Sequence, residues 1–305
     1  TPFAGLPGQI FVAFIGATSA LRAVGAEERA FAQSALGKYL PRDIAQEILR
    51  DPERLALHGE KKAIYCLFSD LEGFTRMSHA MSPEDVARVL NAYLDTLSEV
   101  VLDHGGTIDK FVGDAVVAFW GAPIARADDA QQAARAMVAM AEAGERFRDR
   151  MAQENGGELP AIGRTRVGLH YGEAVVGNFG GEGRIQYTAL GDSMNTAARL
   201  ESANKEMKTR ALVSREAMSR CDLDIFIPMG WVELRGRAQP VEVFEPRPDL
   251  SAEQRALVAR LVAAHAAGKG AEYPPLAASV KASMAGDPAI TQLVGRLEAT
   301  MQGEH

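Results

Sequence analysis

Ala63-Ile-Tyr-Cys-Leu-Phe-Ser-Asp-Leu-Glu-Gly-Phe-Thr75 is an apolar run that ends on acid. Its short unbroken block of aliphatic and aromatic residues reads as a buried strand over 63–70, with Asp70 at the end. A second stretch has the same shape: Lys110-Phe-Val-Gly-Asp-Ala-Val-Val-Ala-Phe119 sets Asp114 at a Val-Gly-Asp turn between short strands at 107–111 and 115–120. A charge buried at a strand end is costly unless it is paired or holds a metal. Two carboxylates brought side by side repel each other, so the arrangement calls for cations between them. Hard divalent ions such as Mg²⁺ take oxygen ligands and share them with substrate phosphates.

Outward from these strands the pattern alternates. Ser82-Pro83-Glu84 is a start signal for a long amphipathic helix over about 83–104, and Gly105-Gly106 turns the chain into the strand at 107. An alanine-rich helix follows at 127–152. Residues 164–172 read as a strand, with a turn at Tyr171-Gly172-Glu173, a further strand from 173 to 177 and a glycine-rich loop at 177–183. A brief strand at 186–189 and a helix at 192–204, capped by Asp192, lead to strands near 210–213, 225–233 and 240–245. The order predicts an α+β fold over 63–246: a ferredoxin-like, palm-type βαββαβ core with a mostly antiparallel sheet and helices on one face. Residues 250–302 are expected to form a separate small helical tail, broken at 268–275. Residues 25–62 read as a helical connector that brings two copies of the chain together, or as a plain N-terminal cap; their charged end, 51–62, is expected to precede the first strand. In residues 1–24, the apolar run 6–24 is interrupted by Pro7, Gln9 and Arg22. It reads equally as the end of a membrane helix and as a buried or dimer-forming helix.

Of the 305 residues 47% are hydrophobic and 24% charged, which predicts a globular chain, and the net charge of −7 argues against a nucleic-acid-binding surface. Cys66 and Cys221 are the only cysteines, so no disulfide framework is implied. The six histidines show no zinc spacing. His170, in a strand reading Val-Gly-Leu-His-Tyr-Gly, is expected to be a packed core residue.

Three stretches carry a specific resemblance. Phe68-Ser-Asp-Leu-Glu-Gly-Phe-Thr75, Lys110-Phe-Val-Gly-Asp114 and Tyr187-Thr-Ala-Leu-Gly-Asp-Ser-Met-Asn-Thr-Ala-Ala-Arg-Leu-Glu201 resemble, in order and spacing, the motifs of class III nucleotidyl cyclases. Gly168-Leu-His-Tyr-Gly-Glu-Ala-Val-Val-Gly-Asn178 resembles a strand pair of the same family, and the likeness covers about 62–246. The resemblance implies an enzyme that closes a nucleoside triphosphate into a 3′,5′-cyclic monophosphate and pyrophosphate with two divalent cations, Mg²⁺ or Mn²⁺. Asp70, Asp114 and the backbone carbonyl of Leu71 would hold the cations, Asn195 would orient the ribose, and Arg199 would bind the α-phosphate. Asn195 and Arg199 are four apart and share a helix face, and a guanidinium fork matches phosphate oxygens.

By the same resemblance, Lys110 and Thr188 occupy the positions that recognise the base. An ammonium can donate to adenine N1 and a hydroxyl can accept from the N6 amine, so ATP is favoured over GTP and the chain falls in a threonine-type adenylyl cyclase subgroup. Arg237 aligns with the family's triphosphate-binding lysine, with Arg235 and Arg184 as further candidates. The family builds its active site across a two-fold axis, which implies a homodimer with two shared sites, and a cytoplasmic catalytic domain, tethered to the inner face of a membrane if 6–24 enters one, with an upstream sensor. The alternatives are a guanylyl or relaxed-specificity cyclase and a degenerate nucleotide-sensing domain. A diguanylate cyclase is disfavoured because no Gly-Gly-(Asp/Glu)-Glu-Phe turn is present.

Overall fold

The computed structural model describes residues 59–154, 160–181, 184–234 and 239–303. The expected membrane or dimer segment 1–24 and most of the 25–62 connector lie outside the described residues. No helix among the described residues is long and apolar enough to cross a membrane.

Strand β1 (Glu60–Leu71) is followed by a short helix α1 (Phe74–Ser78) and the long α2 (Pro83–Asp103). Next come β2 (Thr107–Val112), β3 (Ala115–Trp120), α3 (Asp129–Glu154) and β4 (Thr165–Gly181). These elements are the βαββαβ unit, and their strands lie in the order β2-β3-β1-β4 with every neighbour antiparallel. The chain continues through β5 (Arg184–Leu190), α4 (Asp192–Met207), β6 (Ala211–Ser214), α5 (Arg215–Met218), β7 (Phe226–Val232) and β8 (Val241–Pro246). β6 joins β4 in parallel, β8 and β7 extend that side, and β5 folds back on β4. The α+β, mostly antiparallel architecture is the one expected.

The sequence explains the two faces. Along β1, Tyr65, Leu67 and Leu71 point into one core with Val89, Tyr93 and Leu97 of α2 and Met137, Met140 and Phe147 of α3. Ser82 caps α2 by accepting from the Asp85 N–H at 3.1 Å, with Pro83 at the first helical position. The alternate residues Ile64 and Cys66 are equally apolar, so the other face must be covered too. Helix α4 covers it through Met194 and Ala197. Helices therefore lie on both faces, not on one.

Three further expectations are corrected along the strands and at α4. β4 runs unbroken through Tyr171-Gly172-Glu173 and into the glycine-rich 177–181, because it pairs with β1 over twelve residues and then with β5. β1 begins at Glu60, so the end of the charged connector is strand; Lys61 pairs with Glu173 across the sheet at 2.7 Å. The cap of α4 is Gly191 at φ 146°, with Asp192 as the first helical residue. A positive φ of this kind suits glycine.

The stretch 250–302 is helical as expected, in three pieces: α6 (Ala252–Ala266), α7 (Tyr273–Ser283) and α8 (Pro288–Gln302). It is not detached. Val258, Leu261, Val280, Leu293 and Val294 share one buried core with Leu200 and Met207 of α4, Ile227 and Met229 of β7, and Val243 of β8. His170 is the packed residue expected, buried with Nδ1 2.8 Å from Ser214 Oγ.

Candidate active site

Asp70 is the last residue but one of β1 and Asp114 sits in the β2–β3 turn, which Gly113 makes possible at φ 63°. Pairing of β1 with β3 brings the two acids together: the Leu71 N–H donates to Asp114 Oδ2 at 2.9 Å. Burial and the neighbouring Asp70 charge push the Asp114 carboxyl up to about 6, against the pull of the Leu71 N–H. Asp70 is held from its other side. Arg166, its register partner on β4, donates from Nη2 to Asp70 Oδ2 at 2.6 Å. The same guanidinium faces Glu201 of α4, with Nε 2.9 Å from Oε1. Glu201 is almost buried, and burial with the Asp70 charge pushes its carboxyl up to about 7 although Arg166 opposes the shift.

Two half-buried carboxylates repelling each other are relieved by a positive charge between them. Among the described residues no group of three or more His, Cys, Asp or Glu side chains gathers to hold a metal. Mg²⁺ is commonly held by one or two carboxylates together with substrate phosphates and water. The two-acid set fits that pattern.

A second cluster lies on β2 and β5. Lys110 Nζ donates to Thr188 Oγ1 at 3.2 Å, so two residues 78 apart in sequence meet. Thr188 is buried, Lys110 is partly open to solvent, and the Asp109 carboxylate lies 3.6 Å from the ammonium. A third cluster rides on α4. Asn195 is exposed, and Arg199 is half-buried with Nη1 3.8 Å from Asp192. That Nη1 is buried with no hydrogen-bond partner.

A family model described as the adenylate and guanylate cyclase catalytic domain matches residues 58–244. The chain belongs to this family, the class III nucleotidyl cyclases. Adenylate cyclase 1 of Rhizobium meliloti is 38% identical to it over 208 residues, covering 68% of this chain and 31% of that protein. Among solved structures it is similar to the adenylyl cyclase CyaB of P. aeruginosa, 34% identical with a TM-score of 0.57, over 64% of this chain and 100% of that one. The guanylyl cyclase Cya2 is 32% identical with a TM-score of 0.55, over 62% of this chain and 93% of that one. The chain spans about a third of the length of the curated relatives it matches.

Within this cyclase domain the structure joins Asp70, Leu71 and Asp114, and separately joins Lys110 and Thr188. No hydrogen bond or ion pair among the described residues links Asn195 or Arg199 to the two acids. Arg184 opens β5, but its side chain lies outside the described part of the cyclase domain, as do Arg235 and Arg237. Three residues of these clusters were not singled out from sequence: Arg166, Glu201 and Asp109. Arg166 immediately precedes the Val-Gly-Leu-His strand. Only its register opposite Asp70 marks it.

Proposed function

We propose that the cyclase domain is an adenylyl cyclase. It converts ATP to 3′,5′-cyclic AMP and pyrophosphate, at sites shared across a homodimer. The observation that carries the reading is the junction of two repelling acids, Asp70 and Asp114, through the Leu71 N–H.

Asp70, Asp114 and the Leu71 carbonyl would hold the divalent cations, Mg²⁺ or Mn²⁺. Cations bound there would acidify the 3′-hydroxyl and neutralise the leaving pyrophosphate. The chain's own groups do the rest. Arg166 fixes the orientation of Asp70. Arg199 brings a guanidinium whose buried Nη1 faces Asp192 but makes no hydrogen bond, suited to a phosphate oxygen that gains charge as the ring closes. Asn195, one turn earlier on the same exposed helix face, positions the ribose. Lys110 and Thr188 take the base, a donor toward adenine N1 and an acceptor toward the N6 amine. Guanine offers N1–H and O6, the opposite polarity, which sets the guanylyl reading behind the adenylyl one despite the likeness to Cya2. Arg237, Arg235 and Arg184 are the cations assigned to the triphosphate.

The homodimer is supported by apolar side chains beside these clusters. Phe111, Val112, Val175 and Leu190 are exposed on β2 and on the paired β4–β5 hairpin. Among the described residues of a single chain, the α4 pair also makes no hydrogen bond or ion pair with the acids. Residues 25–62 would carry movement from an upstream sensor or membrane segment to a catalytic domain on the cytoplasmic side.

Incubating the protein with ATP and Mg²⁺ or Mn²⁺ should yield cyclic AMP, read by chromatography. Asp114→Asn should lower the yield by roughly a hundredfold or more, the scale of losing one group that stabilises transition-state charge. Product at the full rate from that variant would overturn the assignment of the acids.

A further inference from the structure

Strand β2 carries an irregularity at its functional end. Ile108 pairs with Ala118 and Lys110 with Val117, so Asp109 is the additional residue of a β-bulge. Regular alternation would set residues 109 and 110 on opposite faces. A bulge re-aims a side chain, and here the Asp109 carboxylate stands beside the Lys110 ammonium, 3.6 Å from Oδ2 to Nζ. Its side chain is completely buried, and neither oxygen has a hydrogen-bond partner of full geometry. The groups next to it are Lys110, the Thr188 hydroxyl and the Ala189 N–H.

A buried carboxylate is costly unless donors face it. A threonine hydroxyl has one proton and two lone pairs. At Thr188 one lone pair accepts from Lys110 Nζ. If the hydroxyl proton turns to Asp109, what remains to face a ligand is a lone pair. The ammonium has three donors: one serves Thr188, one faces Asp109, and one stays open.

We propose that Asp109 is a specificity-positioning residue. It fixes Thr188 Oγ1 as an acceptor and Lys110 as a donor, so the site takes 6-aminopurine nucleotides and rejects 6-oxopurine ones. A free hydroxyl would suit either class, because it can turn its proton toward a carbonyl. With the proton held by Asp109, guanine O6 meets a lone pair and guanine N1–H meets an ammonium. The inference rests on Lys110 and Thr188 being the base contacts.

Asp109→Asn tests it with nearly unchanged shape. Lys110 would draw the amide oxygen to itself, leaving the amide NH₂ to donate to Thr188, whose proton then turns outward. ATP and GTP are compared by displacement of a fluorescent nucleotide and by kcat/KM for cyclisation, with melting temperature as the folding control. The ATP-to-GTP preference should fall about tenfold or more, as expected when a hydrogen-bonding polarity is reversed, with GTP improving in absolute terms. In a Thr188→Val background the same substitution should leave the ratio unmoved. Thr188→Ser, with Asp109 intact, should keep the preference and Thr188→Val should lose it, which serves if Asp109→Asn does not fold. Equal losses for both nucleotides, or an unchanged ratio, would overturn the inference, as would a wild-type protein that binds both alike. A protein that prefers ATP in binding yet forms no cyclic product would instead remove the cyclase reading and leave this one standing.

Discussion

Arg166 stands between two carboxylates that would otherwise face each other across the junction of β1 and α4. Removing it leaves Glu201 buried and unpaired, and Asp70 without its partner on β4. Breaking a buried pair by deleting one partner costs about 3–5 kcal/mol. Asp70 is about a third exposed, so the loss for Arg166→Ala should be nearer 1–3 kcal/mol, read by urea denaturation. The loss should also depend on pH. Glu201 has a folded pKa of about 7, raised from 4.5, so its favourable contribution is fully present below 4.5 and fades as pH rises through 7. Deleting the guanidinium removes a group that opposes that rise. Arg166→Ala should therefore be more destabilised at pH 8 than at pH 5.5, and equal destabilisation at both would mean that Glu201 does not feel Arg166. Legibility at this scale divides by cause. Asp70 and Asp114 are readable because an acid closing an apolar strand is anomalous on its face. Arg166, Glu201 and Asp109 are ordinary polar residues in the sequence. Their meaning comes from register across 96 residues, from helix docking and from a bulge, and a linear reading carries none of these.

Helix α4 is the element on which the proposed catalytic pair rides, and glycines on β4 let it approach. A Cβ at Gly168 would lie 2.3 Å from both the Ala197 carbonyl oxygen and the Glu201 backbone nitrogen, and one at Gly172 would lie 2.4 Å from Ser193 Oγ. Tyr171-Gly172-Glu173 reads as a turn because glycine usually marks one. Here glycine serves close packing inside a strand instead, the less common use of the same residue. Most other elements were legible because their signals are local: the Ser82 cap, the Gly105-Gly106 break and the spacing of Val89, Tyr93 and Leu97 fix α2 without help from the rest of the fold. Backbone atoms cannot yield as a flexible side chain can, so Gly168→Ala must displace α4. It should cost about 1–3 kcal/mol or more, the scale of overpacking a close-packed core, and lower the melting temperature. Gly295→Ala on α8 is the control. Its Cβ would meet nothing within 4 Å, and alanine in a helix is worth up to about 1 kcal/mol over glycine. If both substitutions had the same effect, close approach of α4 to β4 would not be the constraint.

Across the whole molecule, α4 is gripped from two sides. Its Met194 and Ala197 lie on the sheet, while Leu200 and Met207 enter the core built by α6, α7 and α8. Arg247 fastens that union at the end of β8, pairing with Asp249 and with Asp287, the cap of α8, each at 2.7 Å. The sequence made 250–302 look separate because its composition changes there, and composition says nothing about which apolar faces meet. A helix held this firmly presents Asn195 and Arg199 as a fixed surface. Among the described residues of one chain that surface makes no hydrogen bond or ion pair with Asp70 or Asp114, whereas a two-fold partner bearing the same apolar patch could bring its own acids to it. The shared-site model then predicts complementation. Neither Asp70→Ala nor Arg199→Ala protein should cyclise ATP alone. Mixed in equal amounts and allowed to exchange, half of the dimers would be heterodimers. Each heterodimer would hold one doubly damaged site and one intact site, so activity should return to about a quarter of the wild-type level. Activity that stays at the sum of the two variants, with exchange verified by a tag on one chain, would mean that each chain assembles its site alone.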